Sequence, residues 1–479
     1  MPRPKIKFTE VKAYVPVNLP LINEIINGTN LKADKIRALF HQFYMERLRG
    51  ASHSKLKEKE YFKGGWINLR STTLIRVVSH DYKKYITHLE TLGIIEIFRG
   101  NDGRKKYSKN GYSQLYRIKS KYLKKEIGIR SFRKELITDH IILKSIHKIK
   151  SQNKIQNAEL IALNPKIKIL SEMLKEFYFD VKRVEEYLNK VAEDSESMSE
   201  LDSVDPRNLS DLLLKVDAIT NKELHWEKVD LFGERFHTPM TNILSELRKF
   251  IKVRGFESET LVSLDIANSQ PYFSSISVHS NLIENVLPEF RICIPILNEL
   301  TTKNDFRLYT DLCAKGTLYE YWKEIRGISK DEAKTELFYI MYKTTKSVRG
   351  KLSDKEKERK KAVKEFEKHF PNISLAFTRI KLLTEKELPF IENLYVDRYG
   401  FFNKKYYKNL SCMMQRMESR IVIGRICPAL LEKGIKPFIT IHDSFILPAK
   451  MAFEANKIIL DEFSKLGVTP PIIKIQLLK

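Results

Sequence analysis

Two aspartates in this chain each close a short apolar run, and a helical stretch of lysines and rings lies between them. The first is Asp265 in "LVSLDIANSQ", after Leu261, Val262 and Leu264. The second is Asp443 in "TIHDSFILP", 178 positions later, where His442, Asp443 and Ser444 interrupt two apolar runs. Apolar runs around a tight polar break read as a β-hairpin packed on a core. An aspartate there is either a turn residue with local hydrogen bonds or a metal ligand, because desolvating an unpaired carboxylate is costly. Two such aspartates on adjacent strands of an antiparallel sheet would repel unless divalent cations bridge them. Two metals about 3.5–4 Å apart clamp the attacking and leaving oxygens of an in-line phosphoryl displacement. Oxygen ligands suit magnesium.

The intervening stretch is "ISKDEAKTELFYIMYK". Ser329 and Glu332 have capping-box spacing. From there Lys330, Lys334, Phe338 and Tyr342 recur every fourth residue, one stripe of a helix, with Ala333, Leu337 and Met341 on the other face. Alone, this stripe reads as a solvated lysine face beside core aromatics. Beside two metal-binding aspartates it reads as a nucleoside triphosphate site, with cations for phosphates and rings for a base.

The three pieces stand in the order of motifs A, B and C of the family A (DNA polymerase I-like) DNA polymerases and the related single-subunit RNA polymerases. The chain resembles that family over about residues 230–479. The resemblance implies two Mg2+ ions, or Mn2+, on Asp265, Ile266 and Asp443. It implies Lys330, Lys334, Phe338, Tyr342 and Gln270 against the nucleotide, with Lys334 also catalytic. "GERFHT" and "MMQRMESRI" are similar to two further family elements and imply that Arg235, Gln415 and His442 touch template-primer DNA. Four departures separate the chain from the family's DNA polymerases, the first being that no histidine stands shortly before motif B, where Cys313 lies nearby. Ser444 stands where they have glutamate, as in the RNA polymerases. Gln270 replaces the glutamate that blocks a ribose 2′-hydroxyl. Tyr342 is followed by lysine, not glycine. Before residue 230 nothing resembles a proofreading exonuclease; the one Asp-x-Glu, Asp194 to Glu196, lies in an acidic loop.

These residues must be positioned by a fold, and the resemblance implies an α+β right-hand polymerase of palm, fingers and thumb. Residues 231–479 would form palm and fingers, and residues 126–230, rich in Leu, Ile and Lys, a helical thumb. Within residues 1–125, Tyr82, Tyr85, Ile86 and Leu89 have helical spacing after Asp81, a suitable N-cap, and Gly93 ends the helix. Strands over Ile94–Phe98 and Gln114–Ile118 flank the basic stretch "RGNDGRKKYSKNGYS". Helix, strand, basic hairpin, strand is the order of a winged helix. Lys83 and Lys84, with His80 and His88, would then face DNA. Residues 193–206, "EDSESMSELDSVDP", read as a loop or hinge.

Composition agrees. The net charge is +25 over 479 residues, which favours a polyanionic partner. The four cysteines form no CxxC pair, which argues against zinc ribbons and disulfide frameworks. No apolar leader or membrane span is evident, so the expectation is a soluble, cytoplasmic protein acting with DNA template-primer and nucleoside triphosphates, without a membrane. The function expected is a DNA-templated DNA polymerase without proofreading, serving a phage, plasmid or integrated element. A single-subunit-type RNA polymerase or primase is the first alternative. A non-enzymatic DNA-binding replication initiator is the second.

Overall fold

A computed structural model describes residues 11–50, 66–99, 114–123, 132–146, 165–193, 206–224, 226–342, 353–391, 394–396, 402–404 and 408–478. The architecture is mixed α+β and rich in helix. The chain forms two compact units. The first comprises residues 1–159, 177–226 and 242–252; the second comprises 160–176, 227–241 and 253–479.

In the first unit the helix Tyr82–Thr91 buries Tyr82, Tyr85, Ile86 and Leu89, as their spacing predicts. Gly93 follows with φ 64°, a left-handed conformation that glycine adopts without penalty, and the Ile94 amide donates to the Leu89 carbonyl. Asp81 does not cap this helix. Its carboxylate instead accepts from Lys35 Nζ at 2.9 Å and from the Ser79 hydroxyl. Strands Ile95–Ile97 and Leu115–Ile118 pair antiparallel, and a third strand, Ile67–Asn68, adds to the latter. Most of the basic stretch between the first two lies outside the described residues. Lys83, Lys84 and His80 are exposed. His88 is not directed outward, because its ring nitrogen Nε2 lies 2.7 Å from the Ile25 carbonyl.

Residues 132–137, expected to be helical, form a strand paired along its length with Val11–Pro16. The sequence "FRKELI" hides its alternation, since Phe132 and Ile137 are buried while Lys134 and Leu136 are exposed. Leu214, Ala218 and Leu224 join the core of this unit. The loop expected at 193–206 falls mostly outside the described residues.

The second unit is built around a four-stranded antiparallel sheet. Its order is Ile439–Ile441, Ser444–Pro448, Leu261–Ile266, Ile473–Leu478. Period-2 alternation sends Val262, Leu264 and Ile266 into the main core. Ser263 and Asp265 are then left on the opposite face. The helix Lys330–Tyr342 buries Ala333, Leu337 and Met341. The expected capping box is present: the Glu332 amide donates to Ser329 Oγ at 3.3 Å, and the Ser329 amide to Glu332 Oε2 at 2.9 Å. The charged stretch after it forms the helix Asp354–His369, anchored by Ala362 and Phe366. A long helical run, Lys408–Ile421, passes through a π-helical segment at Val422–Ile426 and resumes at Cys427–Glu432, where Pro428 removes a donor from the ladder. Among the described residues no helix is long and apolar enough to cross a membrane.

Candidate active site

The hairpin carrying Asp443 turns in two residues. Ile441 pairs with Ser444, leaving His442 and Asp443 as the turn, with φ 58° at His442. Positive φ at the first central residue is what two-residue hairpins require of their backbone. The outgoing strand then lies against the Asp265 strand, with Ser444 directly opposite Asp265. The Ile266 amide donates to the Asp443 carbonyl at 3.5 Å. Asp265, near the end of one strand, and Asp443, in the turn that leads into the neighbouring strand, are therefore brought to the same end of one sheet.

Both aspartates face a cavity of about 270 Å3. Ile266, Gln270, Lys330, Lys334 and Phe338 line it too, together with Asn268, Tyr319 and Lys474. The Ile266 side chain is a hydrocarbon buried in the core, and its main-chain oxygen is the atom this residue could offer a metal. Lys334 Nζ lies 5.8 Å from the centre of the Phe338 ring, and Lys330 is ion-paired with Glu320. Lys330, Lys334 and Lys474 share the lining with Asp265, Asp331 and Asp443, and Phe338 adds a ring, a set that suits a metal-bound anion carrying a planar ring.

Two carboxylates and a carbonyl also suit magnesium, which takes one or two protein carboxylates and leaves its other positions to water and phosphate. Among the described residues no group of three or more His, Cys, Asp and Glu side chains converges on one point.

Gln270 and Tyr342 connect this cavity to a buried network. The Tyr342 hydroxyl donates to Gln270 Oε1, and Gln270 Nε2 donates to Glu418 Oε2 at 3.0 Å. Glu418 also takes two hydrogen bonds from Arg235, Nε to Oε1 at 2.9 Å and Nη2 to Oε2 at 2.6 Å. The Glu418 side chain is 1% exposed. Burial pushes its carboxyl up to about 7; Arg235 and Gln270 oppose this, and nearby Asp443 adds to it.

Arg235 is thus turned inward, its guanidinium occupied by Glu418 rather than displayed on a surface. Its own loop is organised by Asp230. That carboxylate accepts from the Gly233 and Arg235 amides and lies 2.9 Å from His237 Nε2. These contacts outweigh burial and hold Asp230 down at about 2. The His237 ring meets the His442 ring edge-on, with centroids 5.4 Å apart. Gln415 packs over Gly233, where an added Cβ would lie 2.8 Å from Gln415 Cβ, an atom that rotation of the side chain cannot move away, so glycine is required for this close approach.

No family model matches the sequence, and no curated protein matches it. One solved structure that the fold is similar to is the polymerase domain of Pol1 from M. smegmatis, in complex with DNA primer-template and dNTP. The chains share 11% identity and a TM-score of 0.41 over 70% of this chain and 73% of that one. So loose a likeness assigns no family. The site is read from its own residues.

The sequence groups Asp265, Asp443, Lys330, Lys334, Phe338 and Gln270, and all six line the cavity. Tyr342 joins through Gln270. Lys83 and Lys84 belong to the first unit. Glu418 and Lys474 were not singled out. Glu418 had a readable signal: Met414, Met417 and Ile421 share its helical face, and all are buried. An acid at such a position must find a partner. Lys474 carries no motif and emerges only from strand pairing.

Proposed function

We propose that this chain is a template-dependent nucleotidyltransferase, a DNA-directed DNA polymerase of family A type without proofreading. It would add dNMP to a primer 3′-hydroxyl. The observation that carries the reading is the meeting of Asp265 and Asp443 at one cavity wall, with Lys330, Lys334 and Phe338 lining the same cavity.

In this reading Asp265, Asp443 and the Ile266 carbonyl hold two divalent ions. Once bound, those ions lower the pKa of a primer hydroxyl and neutralise a triphosphate. The chain's own residues do the rest. Lys334 and Lys330 bind the phosphates and stabilise charge developing on them. Lys334 can also deliver a proton to the departing pyrophosphate. Phe338 offers a face to the incoming base, and Gln270, held by Tyr342, borders the sugar. Sheet, helix and hairpin act as palm and fingers. His442, beside Asp443 in the turn, would contact the primer terminus, and Gln415 the duplex.

In the first unit, the three-stranded sheet beside the helix Tyr82–Thr91 supports a winged-helix-like module with Lys83 and Lys84 toward DNA. A second reading, an RNA polymerase or primase, is favoured by one observation: a small residue, Ser444, lies opposite Asp265. Primer extension on DNA and RNA templates, with dNTPs and then rNTPs, tests both. Template-directed addition of dNTPs supports the first reading. A preference for rNTPs moves the assignment to the second, and no extension with either sinks both.

A further inference from the structure

We propose that Glu418 is a positioning residue for sugar discrimination, fixing the Gln270 amide in one orientation through its pair with Arg235. This rests on the polymerase reading and goes beyond it, since Glu418 lines no part of the cavity.

A glutamine amide has two near-isosteric orientations that differ by exchanging donor and acceptor. Gln270 borders the cavity and is held at both ends. Its Nε2 donates to Glu418 Oε2 at 3.0 Å, and its Oε1 accepts from the Tyr342 hydroxyl. Exchanging the ends would aim an acceptor at the Glu418 carboxylate, whereas the Tyr342 hydroxyl can donate or accept, so Glu418 is the contact that decides the orientation. Glu418 is itself immobilised: it is 1% exposed and takes both hydrogen bonds of an Arg235 fork. Freed rotation would let the amide turn to meet a ribose hydroxyl with a hydrogen bond. Fixed, it presents the same atoms to every nucleotide and rejects the larger sugar by volume. A buried carboxylate that reaches the substrate only through Gln270 thereby sets the choice.

The two oxygens of Glu418 are not equivalent. Oε2 accepts from both Arg235 Nη2 and Gln270 Nε2. Glu418→Gln can keep its carbonyl at that point and retain both bonds, whereas Glu418→Ala removes them. The experiment measures kcat and KM for a matched dNTP and rNTP in full-length wild type, Glu418→Ala and Glu418→Gln. Folding of each is checked by circular dichroism.

The expected result is a fall in dNTP-over-rNTP discrimination of about tenfold in Glu418→Ala. It should be carried by a lower KM for the rNTP. Glu418→Gln should stay within about threefold of wild type. A purely structural role would change both nucleotides in parallel. Such parallel change, or unaltered discrimination in a folded Glu418→Ala, would overturn the inference while leaving the polymerase reading intact. If Glu418→Ala fails to fold, Glu418→Asp takes its place, because the shorter side chain withdraws the carboxylate from Gln270 Nε2: a fall in discrimination carried by the rNTP KM supports the inference, and unaltered discrimination in the folded variant overturns it. Failure of wild type to extend with any nucleotide would overturn the polymerase reading and this inference together.

Discussion

Lys474 lies directly opposite Asp265 in the antiparallel ladder, on the flank away from Ser444. Directly opposed side chains on one sheet face have Cβ atoms about 4.5–5.5 Å apart. A lysine at that distance neighbours the carboxylate proposed to hold metal, and it lines the same cavity as Lys330 and Lys334. On the polymerase reading it would be a third cation for the triphosphate, supplied by a different element. Lys474→Ala should raise KM for the incoming nucleotide by about 5- to 50-fold, in the range of one charge-assisted hydrogen bond. An unchanged KM would leave Lys474 as a partner of Asp265 only.

Gln270 borders the cavity as a filled, oriented side chain. Gln270→Ala should narrow the ratio of kcat/KM for dNTP over rNTP by about tenfold or more, because space for a hydroxyl opens. A ratio that survives Gln270→Gly would keep dNTP selectivity and remove Gln270 as its cause.

Glu418 also predicts a pH dependence of stability. Its carboxyl is raised from 4.5 to about 7 by burial and by Asp443. The folded state then holds a proton that the unfolded state has released between those two values. Stability accordingly falls as pH rises from 4.5 through 7, by about 3 kcal/mol for this one group. Urea unfolding in EDTA at pH 5 and pH 8 should show that loss in wild type and not in Glu418→Gln. Parallel pH profiles for the two proteins would contradict the assignment.

Lys83 and Lys84 are exposed neighbours on the helix Tyr82–Thr91. If they contact phosphates, full-length protein with both changed to alanine should bind duplex DNA more weakly. The slope of log affinity against log salt should drop by about 2, close to one per lost contact. An unaltered slope would place DNA contacts elsewhere.

What was legible in the sequence follows from physical periodicity. An apolar run closed by an acid marks the Asp265 strand, a three-residue polar break marks the Asp443 turn, and four-residue spacing marks the Lys334 helix. Each is a local pattern, and the three meet at one cavity. The strand 132–137 was illegible because Arg133, Lys134 and Glu135 mask its alternation, and its partner is over a hundred residues away. Asp81 had the right residue type for a cap, but Lys35 competes for it from another helix. The inward turn of Arg235 depends on Glu418, 183 positions distant, which no local pattern announces. The units themselves interleave three segments each, an arrangement that only tertiary contacts reveal.

The central claim is that Asp265 and Asp443 act together on a nucleotide. Its most direct test is single-nucleotide primer extension in Mg2+ by wild type, Asp265→Asn and Asp443→Asn, with duplex binding measured alongside. The account predicts extension by wild type that EDTA abolishes, and loss of at least about 100-fold in each variant. Duplex binding should be largely kept, because lysine and arginine contacts to phosphate carry it. Extension by Asp443→Asn at the wild-type rate would contradict the account.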